Sequence, residues 1–161
     1  MTLQDPYLAK RCGEIEVLLV EVENWASGNY KLGANLAAYV TVLIVGVVED
    51  CVEHLVAQRA RKTRDSEIEH YVVQSLQQGF KNPDHGKISG LLKMFSEDYQ
   101  QKFKQRLPPN GKEAVALQSV VGNKNALSHV GTLNLQLTIK EVGDYYRDIR
   151  PILEVLESIL A

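Results

Sequence analysis

Leu36-Ala37-Ala38-Tyr39-Val40-Thr41-Val42-Leu43-Ile44-Val45-Gly46-Val47-Val48 is a run of 13 residues that is apolar nearly all round. Its β-branched residues would also suit a buried strand, since periodicity does not separate a short apolar strand from a buried helix. The length of the segment and its continuation through Cys51, Leu55 and Val56 decide for a helix from about Asn35 to Lys62. A helix greasy on every side must be central in a bundle, or central in a dimer. The apolar run itself is shorter than the about 20 residues that a bilayer span takes.

Toward the N-terminus, Asp5 is placed to cap a first helix, with Pro6 at its first position. Leu8, Cys12, Ile15, Leu19, Val22 and Trp25 recur every three or four residues as its apolar stripe, and Ser27-Gly28-Asn29 ends it. Asp5 and Pro6 also stand where a secretory signal would need an apolar run, so the expected setting is cytoplasmic, with no membrane partner.

On the C-terminal side, Ser66 and Glu69 read as a capping box for a third helix with the stripe Ile68, Tyr71, Val72, Ser75 and Leu76. Lys81-Asn82-Pro83-Asp84 is a loop by its turn residues, followed by short helices at about 85–95 and 97–106. Pro108-Pro109-Asn110-Gly111 breaks them off. Asn110 and Glu113 then repeat the capping pattern for a helix through Val115, Leu117, Val121 and Leu127. The loop Gly131 to Leu137 leads to a further box, Thr138 and Glu141, and to a last helix in which Pro151 is expected to make a kink. No repeat or linker interrupts residues 1–161, which read as one all-α domain: a four-helix up-down bundle with additional short helices.

A chain of 161 residues buries enough surface, roughly 70%, to fold without disulfides or metal. Its two cysteines, Cys12 and Cys51, read as small buried hydrophobes. The net charge of −2 excludes bulk affinity for nucleic acid of the histone type, leaving only a local basic patch for that purpose. Arg59, Arg61, Lys62 and Arg64 form such a cluster. They have two readings, cations complementing a helix C-terminus or a contact surface for RNA phosphates. Glu49, Asp50 and Glu53 either mark the end of burial or face a shared polar cleft.

Glu67-Ile68-Glu69-His70 has the Glu-x-x-His spacing of di-iron bundles, but such a site needs the motif twice, and neither His85 nor His129 follows a Glu at that spacing. His70 and His54 therefore read as solvent-facing. No phosphate loop, Cys-x-x-Cys pair or serine elbow occurs, and no cofactor is expected. The segment with chemical content is Lys124 to His129. Asn125 and His129 are four apart and share a helix face, Lys124 lies about 100° round, and Gly131 puts His129 in the final turn. Such cations can also simply serve the helix dipole.

The stretch Leu117-Gln118-Ser119-Val120-Val121-Gly122-Asn123-Lys124-Asn125-Ala126-Leu127-Ser128-His129-Val130-Gly131 resembles the signature of HEPN domains: an Arg, usually followed by a polar residue, then four to six residues and a His. Asn125 and the pair Ala126-Leu127 match it well. The apolar helix followed by Glu49 and Asp50, and the Asn82-Pro83 turn before Ile88, Leu91 and Leu92, look like the RiboL-PSP group of that family. The resemblance implies a four-helix core and a homodimer whose paired motifs face one RNA cleft. It also implies a metal-independent endoribonuclease of the toxin or phage-defence type, with an antitoxin or another defence protein as partner. Under it, His129 moves protons, Lys124 stabilises charge on the phosphate and Asn125 orients the phosphate or the imidazole. Lys124 stands where the family has Arg, which keeps the charge and loses the planar fork that grips phosphate twice. The alternatives are a catalytically weak or inactive HEPN module that binds RNA or protein, and a purely structural helical dimer.

Overall fold

A computed structural model describes residues 3–130 and 137–161, the side chains of 128–130 excepted. The described residues form seven helices: α1 (Pro6–Ala26), α2 (Tyr30–Arg61), α3 (Ser66–Gly79), α4 (His85–Phe95), α5 (Glu97–Arg106), α6 (Lys112–Val130) and α7 (Ile139–Leu160). The long helices α1, α2, α6 and α7 make the bundle, and the shorter three are inserted between α2 and α6. The architecture is all-α, and no strand occurs among the described residues.

The Asp5 carboxylate caps α1 by accepting from the backbone N–H groups of Tyr7 at 2.8 Å and Leu8 at 3.1 Å. The Asp5 N–H in turn donates to Glu157 near the end of α7, at 2.5 Å. Leu8, Cys12, Ile15 and Val22 are buried as the stripe requires, but Trp25 is 57% exposed. By Trp25 the helical step has carried the side chain about 100° off the line of Leu8, so the stripe had already turned away from the core.

α2 starts at Tyr30, five residues before the expected Asn35, because Asn29 caps it by accepting from the Leu32 N–H at 3.0 Å. Its apolar segment is central in the bundle: Val40, Ile44, Val45, Val48 and Cys51 are fully enclosed, and only Tyr39 and Val42 face outward. With the helix extended to 32 residues, α2 is long and apolar enough to cross a membrane by length and composition, although here much of its apolar surface packs inside the protein. Cys12 and Cys51 are free and buried.

α3 is capped by Asp65, one residue before the expected Ser66, since a carboxylate both accepts the orphan N–H groups and complements the helix dipole. Glu69 closes no box and pairs with Arg61 at 2.7 Å. Of the expected α3 stripe only Leu76 is buried, while Ile68 and Tyr71 lie in solvent. α4 and α5 start at the caps Asp84 and Ser96. The Gly111 carbonyl accepts from the Val115 N–H at 3.0 Å, so α6 begins one residue later than a cap at Asn110 would set. The Thr138–Glu141 capping box forms as expected, and α7 runs on through Pro151 to Leu160. Of the expected loop Gly131 to Leu137, residues 131–136 lie outside the described residues.

Candidate functional site

Three elements converge on Lys124. It extends from α6, partly buried, and its ammonium donates to Oδ1 of Asn82 in the loop between α3 and α4. Asn82 stands in the left-handed region at φ 51, a conformation Asn tolerates because its short amide suits such turns. That twist aims its N–H at α2, where it donates to Oε1 of Glu49 at 2.5 Å. A chain of contacts therefore runs from α6 through the α3–α4 loop to α2. Glu49 is thereby engaged by the α3–α4 loop.

Its neighbours continue the polar surface. Asp50 accepts from the Arg11 guanidinium at 2.6 Å, a contact that holds α1 to α2. Glu53 faces Lys81 of the same loop at 3.7 Å, too long for a hydrogen bond, and its Oε1 is buried without one. Burial pushes the Glu53 carboxyl above its usual range, with Asp50 and Glu49 adding to the rise while Lys81 opposes it.

A second cluster lies one turn along α2. His54 was expected in solvent but is partly buried: Asp5 Oδ2 lies 3.2 Å from its Nε2, and Tyr7 stacks on its ring with centroids 4.4 Å apart. Gln58 donates to the same carboxylate oxygen at 2.8 Å. Burial raises the Asp5 carboxyl, but hydrogen bonds from the Leu8 N–H, His54 and Gln58 outweigh that and hold it below the usual range. Tyr7, Asp50, Glu53 and His54 border one cleft of about 270 Å³. No local spacing announces this cluster, since Asp5 and His54 meet only through the antiparallel register of α1 on α2.

The other expected site residues divide. Asn125 is half-buried beside Lys124 on α6, whereas His129 lies in the last turn of that helix and its side chain is outside the described residues. Of the four cations at the end of α2, two are engaged by neighbouring helices. Arg59 lies 5.8 Å over the Tyr99 ring of α5, and Arg61 is drawn the other way to Glu69 of α3. Lys62 and Arg64 are exposed. Their spread reflects the helix, because residues two apart point to nearly opposite sides. His70 is exposed as expected. Among the described residues, no group of three or more His, Cys, Asp or Glu is arranged to hold a metal ion.

No protein-family model matches this chain, and neither a curated protein nor a solved structure matches it.

Proposed function

We propose that this chain is a HEPN-type helical domain that binds RNA at the end of α6 and cleaves it without a metal. The supporting observation is the position of Lys124, which is not a loose helix-terminal cation but is docked where α6, the α3–α4 loop and α2 meet. The all-helical frame is the second support. In the reaction an RNA 2′-hydroxyl attacks its own neighbouring phosphate, displacing the 5′-oxygen of the next nucleotide. The products are a cyclic phosphate and a free 5′-hydroxyl. His129 takes the proton from the nucleophile and returns one to the leaving oxygen, since imidazole titrates near working pH. Lys124 stabilises the charge that builds on the phosphorus oxygens, and Asn125 orients the phosphate. The toxin or defence role, a second copy completing the cleft and an antitoxin partner belong to the same reading, in a cytoplasmic setting.

The second reading is a HEPN module that binds RNA or a protein without cleaving. The Lys124 contact favours it in one respect: an ammonium engaged by Asn82 must leave that amide, or share it, to reach a phosphate. Incubation of the purified protein with total RNA in EDTA decides between them. Fragments ending in cyclic phosphate support the nuclease. Intact RNA that is shifted on a native gel supports the RNA-binding module, and RNA neither cut nor shifted removes both RNA readings and leaves only a module that binds protein.

A further inference from the structure

α3 is amphipathic, yet Leu76 is its one buried residue. Ile68 is 46% exposed and Tyr71 is 72% exposed. Across from it, Met94 and Phe95 of α4 are also exposed, Met94 to 84%. α3 packs against α2, and α4 against α5 and α6, but among the described residues the backbones of these two consecutive helices do not approach each other closely. Between them runs a groove of about 590 Å³ with Leu76, Phe80 and Leu91 among its lining and Tyr71 and Met94 on opposite rims. Apolar side chains on two facing walls with nothing between them mark an interaction surface, because isolated exposed apolar residues are ordinary and a contiguous concave patch is not.

The surface itself indicates what fits it. An amphipathic helix seats in such a groove through anchors at i, i+3, i+4 and i+7. Ile68, Tyr71, Val72 and Ser75 stand at that spacing on α3, the last three of them lining the groove, so the chain carries both the groove and a helix to fill it. The charges are self-complementary as well. α3 contains Glu67 and Glu69 and no Lys or Arg, while α4 contains Lys87 and Lys93 and no Asp or Glu. We propose that the groove between α3 and α4 is an isologous interface, capped by the Ile68–Tyr71–Val72 ridge of a second copy of this chain. A two-fold axis sets the acidic α3 of each copy against the basic α4 of the other. The proposal rests on this surface alone and stands whether or not the domain acts on RNA.

Sedimentation velocity on the full chain tests it, from low micromolar to high micromolar concentration. The wild type sediments with twice the chain mass. Tyr71→Glu and Met94→Glu each raise the dissociation constant by about 30-fold or more, the loss typical of a buried interface anchor. Tyr39→Glu, on the outward face of α2, leaves it unchanged. Glu67→Lys weakens association, and Lys93→Glu added to it restores association. A wild type that is monomeric throughout overturns the proposal. So does a dimer that survives both groove variants, or one that Tyr39→Glu alone dissociates. Failure of the double charge reversal to restore association overturns the acid-to-base pairing. The substituted side chains are all exposed, and circular dichroism of each variant checks that the helices remain.

Discussion

Asn82 is held from both sides by Glu49 and Lys124: its N–H donates to Glu49 Oε1, and its side-chain oxygen accepts from the Lys124 ammonium. One loop residue thereby joins α2 to α6, and its positive φ is what lets the backbone and the side chain serve different helices.

This double role separates two substitutions. Asn82→Ala loses the acceptor for Lys124 and forces a Cβ without a compensating amide into the left-handed region, for a combined cost of about 1–3 kcal/mol. Asn82→Gly loses the acceptor but not the backbone freedom, so it costs less. Urea unfolding should rank the wild type above the glycine variant and the alanine variant last. An alanine variant as stable as the glycine one would show that the turn carries no strain.

Two carboxylates make opposite contributions to the pH dependence of stability. Asp5 has a depressed folded value, so its contribution is present above about pH 4, the unfolded Asp range, and drains away as the pH falls through the folded value. Asp5→Asn should lower stability at neutral pH and flatten the acid limb. Glu53 is raised, so the penalty for ionising it appears as the pH rises through its folded value and is absent below the unfolded Glu range. Glu53→Gln should therefore raise the unfolding midpoint at pH 7, with the gain vanishing on acidification. Urea midpoints measured across pH test both signs at once, and equal pH profiles for wild type and Glu53→Gln would remove the second.

In the proposed reaction His129 carries the proton transfers, a role typically worth about 10²- to 10⁴-fold in rate. His129→Ala should abolish RNA cleavage while circular dichroism and RNA binding persist. If the variant instead unfolds, His129 is a structural residue and the catalytic assignment is wrong.

Lys124→Arg tests the proposed HEPN reading, in which this lysine stands where the HEPN signature has Arg. Restoring the planar fork should raise cleavage above wild type, provided the guanidinium still reaches Asn82. Lys124→Ala should weaken both cleavage and RNA affinity, and should flatten the salt dependence of binding by about one phosphate contact. RNA binding that is indifferent to Lys124→Ala would mark this lysine as an internal brace between α6 and the α3–α4 loop, nothing more.

Read alone, the sequence determined what depends on neighbours along the chain. The caps at Asp5 and Thr138, the proline and glycine breaks and the enclosed run from Leu36 to Val48 are local or periodic features, and helix formation responds to those directly. The helix starts differ from the expected ones by five residues at α2 and by one at α3 and α6, where neighbouring polar residues compete to cap. Tertiary structure alone decided which faces of the helices are covered. Trp25, Ile68 and Tyr71 are apolar like their buried neighbours but stay exposed among the described residues, and a sequence pattern marks a face without naming its partner. The same holds for the polar sites: Asp5 meets His54, and Glu49 meets Lys124 by way of Asn82, through helix register and one left-handed turn. Contacts across such separations are fixed by how the whole core closes, since burial is non-directional and the groups it brings together share no local signal.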